Sequence, residues 1–111
     1  MDMLTKLEEL ILLSVWRLGE KAYGTTIYRH IESVTKKKIS LGGVYFPLDR
    51  LTRQGYLRAY YGAATEERKG HSKRYYQLTE RGFEALNEAK AVNDAMWAGF
   101  ASRSLTSEEI R

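Results

Sequence analysis

The side chains able to do chemistry in this chain are mostly cationic, and they are unevenly placed. Residues 1–35 carry four Lys/Arg against five Asp/Glu, residues 36–81 carry eleven against four, and residues 82–111 carry three against five. The middle stretch is therefore +7, flanked by segments of −1 and −2, within a chain whose formal charge is +4. Clustered ammonium and guanidinium groups suit ion pairing with a polyanion. Catalysis is a poor match. His30 and His71 sit on separate segments with no shared partner, there is no cysteine, and no glycine loop is built to cradle phosphate. No cluster has metal-ligand spacing, so neither a metal nor another cofactor is expected, and the protein is read as a non-enzyme.

The elements that must position these cations centre on Ser40 to Gly55, SLGGVYFPLDRLTRQG. Leu41, Val44, Leu48 and Leu51 recur at helical spacing and predict one buried face. Gly42, Gly43, Phe46, Asp49, Arg50 and Arg53 fall mostly on the other side. Ser40 can cap the start and Gly55 the end. Pro47 removes one backbone bond, so either the helix bends there or its regular part begins near Gly43. Small residues leading a helix allow a close backbone approach to DNA.

Upstream, Asp2 or Thr5 can cap a first helix whose stripe is Leu4, Leu7, Ile11, Val15 and Leu18, widened by Leu10 and Leu13. Gly19 ends it, and Glu20 to Tyr23 read as a polar link. A second helix begins around Gly24 to Thr26 and buries Ile27, Ile31 and Val34. His30 rides on it as a surface side chain. Lys36, Lys37 and Lys38 form a basic turn before the Ser40 helix. Two short helices joined by a turn and braced by a first match a helix-turn-helix.

Downstream, Tyr56 to Tyr61 and Lys73 to Leu78 are strand-like and enclose a polar loop from Gly62 to Ser72. Tyr76, Leu78, Leu57 and Ala59 are expected on the core face, with Tyr75 and Gln77 outward. The loop and its base bring Arg68, Lys69, His71, Lys73 and Arg74, the composition of a basic wing that can follow phosphates. Thr79 can cap a last helix running to about Ala101, and Gly82 lets it approach the hairpin. Leu86, Ala89, Val92, Asn93, Met96, Trp97 and Phe100 follow one helical stripe. A winged helix is closed without this element, so the stripe is expected to cover a second copy, with that copy's first helix as its seat, in preference to the alternative of folding back on its own domain. The fold class is thus α+β, mostly helical: a winged helix-turn-helix over residues 1–78, then a dimerisation helix and polar tail over 79–111.

Three segments carry a family resemblance: Tyr23-Gly24-Thr25-Thr26-Ile27, Ser40 to Leu57, and Thr65 to Leu86, TEERKGHSKRYYQLTERGFEAL. The last is the most telling, with paired tyrosines, then LT and a glycine after a basic wing. From Leu4 to about Phe100 the chain resembles PadR-type transcriptional regulators, in their small subgroup with a single C-terminal helix. The resemblance implies a homodimer placing two recognition helices in adjacent major grooves. It implies DNA-reading roles for Ser40, Gly42, Gly43, Tyr45 and Phe46, with Arg50 nearer the backbone. It implies wing contacts from Lys69, His71, Lys73 and Arg74, and Lys37 and Lys38 add their charge to that surface. Some small members bind flat aromatic drugs between dimer-centre tryptophans. Here Trp97 lies about one turn beyond that position, which Asn93 occupies. Pro47 also departs from the pattern, because many members place proline directly after the tyrosine.

The expected function is a sequence-specific, double-stranded-DNA-binding repressor, released by a small hydrophobic effector through the terminal helices. Losing Arg74 is expected to lower the salt dependence of binding by about one phosphate contact. The competing reading is a winged helix used only for protein–protein interaction, against which the basic middle argues. RNA is disfavoured because the wing aromatics do not follow a base-stacking sheet motif. No apolar run reaches membrane-spanning length and no signal-peptide pattern opens the chain, so a cytoplasmic protein without a membrane partner is expected.

Overall fold

Local capping chemistry sets most of the helix starts. The computed structural model describes residues 3–62 and 73–101, which form four α-helices and one two-stranded antiparallel sheet. Helix α1 spans Lys6–Leu18 and opens on a capping box: the Thr5 hydroxyl accepts from the Glu8 amide at 3.1 Å, and the Glu8 carboxylate accepts from the Thr5 amide at 2.8 Å. Gly19, at φ +55°, stops it. Its core line is Ile11, Leu12 and Val15, whereas Leu13 is exposed, so the buried stripe is narrower than the apolar spacing predicts.

The link after α1 is more than a polar connector. A 3-10 turn at Gly19–Lys21 leads to Ala22, which is fully buried and whose carbonyl accepts from the Tyr76 amide at 2.9 Å. Tyr23 and Tyr75 form an antiparallel bridge. The link thus serves as an extra edge to the sheet. Helix α2 spans Gly24–Thr35, its start tied down by the Thr26 hydroxyl, which accepts from the Tyr23 amide at 3.0 Å and donates to the Lys21 carbonyl at 2.6 Å. Ile27 and Ile31 are buried as expected, but Val34 is 60% exposed. It sits in the final turn, just before Lys36 reverses the chain at φ +61°, and Ile39 packs against the core instead.

Helix α3 spans Gly42–Arg53. Ser40 caps it from just outside, its hydroxyl accepting from the Gly43 amide at 2.9 Å. Val44, Leu48 and Leu51 are fully buried, while Leu41 is 52% exposed because it precedes the helix and lies off its inner face. Pro47 is buried inside the helix, which runs on without interruption. The one bond it cannot donate belongs to the Gly43 carbonyl, close to the helix start, where little regular structure is lost. Gly55, at φ +85°, turns the chain into the hairpin.

Strands β1 (Leu57–Tyr61) and β2 (Arg74–Leu78) pair with Leu57 opposite Leu78 and Ala59 opposite Tyr76. Leu57 and Tyr76 are buried, and Ala59 and Leu78 pack against the core, as the alternation predicts. Helix α4 spans Glu80–Trp97. Thr79 caps it by accepting from the Gly82 amide at 3.1 Å while donating to the Gly55 carbonyl at 2.6 Å. A Cβ on Gly82 would lie 2.3 Å from the Tyr56 carbonyl oxygen, so only glycine permits this approach. The helix ends before the expected Ala101, since Ala98 leaves helical geometry and Gly99 takes φ +81°. The architecture is the mostly helical winged helix-turn-helix expected, with Ala85 of α4 joining the same core.

Candidate nucleic-acid interface

The outer face of α3 follows from its inner one. Burying Val44, Leu48 and Leu51 turns Tyr45, Phe46, Asp49, Arg50 and Arg53 outward. Phe46 is 75% exposed, an unusual position for a large apolar ring. A Cβ on Gly42 would still touch that ring at 3.5 Å, so the bare helix start and the ring lie side by side. Tyr45 crosses to the start of α2: a Cβ on Gly24 would fall 2.2 Å from its phenol oxygen. The glycine thus leaves the space that seats Tyr45.

The cations divide into paired and exposed ones. Lys37, Lys38, Ser40 and Arg53 are exposed beside α3. Lys73 places its ammonium 3.9 Å from the centre of the Tyr23 ring, a cation–π contact at the base of the wing. Arg74 donates to Asp49 at 2.8 Å, tying the wing strand to α3. Burial works to lower the Arg74 pKa, but the bond to Asp49, then Tyr76, the Asp49 charge and Tyr61, outweigh it and hold it above its ordinary value. Arg50 turns toward α1, where it donates to Glu8 at 3.2 Å. An exposed pair such as Asp49–Arg74 contributes at most about 1 kcal/mol, so a phosphate can compete for its arginine. Lys69 and His71 lie outside the described residues.

Asp49 is the residue whose role the spacing did not disclose. Its partner lies 25 positions away on another element, and no local pattern signals such a pair. The same holds for Tyr23, whose contacts with Tyr75 and Lys73 exist only because the link joins the sheet.

The terminal stripe splits. Leu86 packs against the chain's own core and Ala89 is half-buried, so this part of the stripe covers its own domain. Asn93 donates to both carboxylate oxygens of Glu9 on α1, at 3.2 and 3.3 Å. Val92, next to that anchor, is partly exposed, and beyond the anchor the apolar side chains point to solvent: Met96 (80% exposed), Trp97 (64%) and Phe100. Trp97 and Phe100 meet edge to face at 5.1 Å. Between α1 and α4 runs a groove of about 600 Å³ whose apolar lining includes Leu13, Trp16, Phe83 and Leu86. Among the described residues no group of His, Cys, Asp and Glu is placed to hold a metal, and no helix is long and apolar enough to cross a membrane.

The model of the transcriptional regulator PadR-like family matches residues 12–88. A PadR-like transcription factor from Bacteroides fragilis is 26% identical, with a TM-score of 0.66 over 81% of this chain and 82% of that one. RosR of H. salinarum is 25% identical, with a TM-score of 0.63 over 88% of this chain and 81% of that one. A PadR-like regulator from Bacillus cereus, 24% identical with a TM-score of 0.63, covers 81% of this chain and 82% of its own, and shares the fold. No curated protein matches the chain.

Proposed function

Because the chain belongs to the PadR-like family of transcriptional regulators, whose members are not enzymes, we propose that it is a sequence-specific repressor that binds double-stranded DNA as a homodimer in the cytoplasm. The observation that carries this reading is the outer face of α3. Its start at Gly42 and Gly43, the exposed Phe46 ring and the seated Tyr45 form an exposed surface, with exposed Lys37, Lys38 and Arg53 near it in sequence. An α-helix with a slim leading end can enter a major groove and offer side chains to base edges. The cations beside it, with Lys73 and Arg74 at the wing base, suit the phosphates on either side.

Residues 1–78 supply this surface, and residues 79–111 supply the dimer contact through the exposed end of α4. A second copy accounts for that stripe, because Val92, Met96, Trp97 and Phe100 are exposed among the described residues. The groove between α1 and α4 offers the matching apolar seat, with Trp16 and Phe83 on its wall. A small hydrophobic effector entering between the helices would change the angle between the two subunits and so the spacing of their α3 helices.

The test is a fluorescence anisotropy titration with duplex from upstream of the protein's own gene and with a scrambled duplex, each at two salt concentrations. Tight binding to the first alone, weakening steeply with salt, is the expected result. Absence of binding to either duplex at low salt would refute the proposal and favour a protein-interaction module.

A further inference from the structure

The inference here rests on the DNA-binding reading and concerns the one acidic side chain on α3. Asp49 is exposed on the outward face, one helical turn beyond Tyr45 and one turn before Arg53. A carboxylate there faces the same solvent that phosphates would occupy. No burial demands it: its side chain is 53% exposed and that of its partner Arg74 is 38% exposed. The pair joins the two elements assigned to DNA, α3 and the wing strand β2, across 2.8 Å. Arg74 also lies over the Tyr76 ring, 5.3 Å from its centre, so its guanidinium has a second support without Asp49.

The geometry points to Asp49 as a specificity-determining residue that withholds Arg74 from the phosphates of non-cognate DNA. Duplex of arbitrary sequence offers α3 little beyond phosphate charge. Binding it requires either breaking the Asp49–Arg74 pair and leaving a carboxylate among phosphates, or keeping the pair and forgoing one cation. Both penalise the wrong partner. A cognate site can reverse the penalty, since a carboxylate in the major groove accepts a hydrogen bond from the exocyclic amine of cytosine. Arg74 is then free for the backbone. Asp49 thereby discriminates mainly by weakening the competitors.

The experiment uses the full chain, wild type and Asp49→Asn, Arg74→Gln and the double variant, with a mixed-sequence duplex followed by anisotropy from about 50 to about 200 mM salt. Asp49→Asn is expected to bind this duplex about threefold more tightly or better, with a salt slope steeper by about 0.9, the value of one added phosphate contact. Arg74→Gln is expected to cost more in the Asp49→Asn background than in the wild type, and discrimination in favour of the upstream duplex is expected to fall in Asp49→Asn. An unchanged or shallower slope in Asp49→Asn, or weaker binding to every duplex, would overturn the inference and leave the pair a structural tie. If the wild type binds no duplex at low salt, the DNA reading itself fails, whereas normal wild-type binding with an unaltered variant slope defeats this inference alone.

Discussion

Tyr45 and Gly24 form a unit that joins two helices. The phenol occupies the space a Cβ on Gly24 would need, at 2.2 Å. Gly24→Ala is expected to push the ring aside at little cost in stability, because the displaced atoms are the end of a side chain that can swing and alanine favours helix. The preference for upstream over scrambled duplex should drop, with the melting temperature nearly unchanged; an unaltered preference would remove Tyr45 from the reading surface. Glu8 supports a second prediction. Burial acts to raise its pKa, but bonds from the Thr5 backbone and from Arg50 and the Thr5 hydroxyl outweigh it and set it below the ordinary value. A carboxyl with a depressed folded pKa stabilises the fold above its unfolded pKa of about 4.3 and loses that contribution as pH falls through the lower folded value. Thermal melts between about pH 6 and about pH 3 should show a smaller acid-side loss for Glu8→Gln than for the wild type, from a lower starting stability.

At the scale of elements, the junction of α4 with the turn before β1 is closed backbone to backbone. Gly82 faces the Tyr56 carbonyl, and backbone cannot swing aside as a side chain can. Gly82→Ala should therefore destabilise the fold by about 1–3 kcal/mol, read as a lower midpoint in urea denaturation with the slope retained. A midpoint matching the wild type would mean that α4 can lift from the hairpin freely. Helix α3 illustrates the opposite tolerance. Pro47 is accommodated inside it although it cannot donate the bond that the Gly43 carbonyl would accept. Element periods were legible where one helix packs against the body of its neighbours, as with Val44, Leu48 and Leu51. They failed at helix ends: Val34 and Leu41 keep the spacing yet stay exposed, because the chain turns away there and Ile39 takes the inward place.

At the scale of the whole molecule, α4 has two halves with different tasks. Gly82, Ala85 and Leu86 bind it to its own domain, and the Asn93–Glu9 contact marks where that attachment ends. Past that contact, Met96, Trp97 and Phe100 form an apolar end that stays exposed among the described residues. If the proposed dimer forms through this end, Met96→Asp weakens it by about 2 kcal/mol or more, roughly thirtyfold in its dissociation constant, since it would bring a charge into an apolar contact. Sedimentation equilibrium across protein concentrations reads this directly, and an unchanged dissociation constant would place the subunit contact elsewhere. The same variant should lose affinity for the upstream duplex while each monomer keeps its fold by circular dichroism.

What the amino-acid order determined alone is whatever depends on near neighbours. Capping by Ser40 and Thr79, the inner face of α3 and the two faces of the hairpin all follow from side chains a few positions apart, and so do the basic middle and the family resemblance; the choice of Thr5 over Asp2 as the first cap came from the structure. Tertiary structure decided what depends on distant partners. It made Ala22 and Tyr23 a sheet edge, set Asp49 against Arg74 and Arg50 against Glu8, and divided the α4 stripe between its own core and solvent. Periodicity shows that a face is apolar but not what will cover it, and a charge shows its sign but not which opposite charge the fold will bring near.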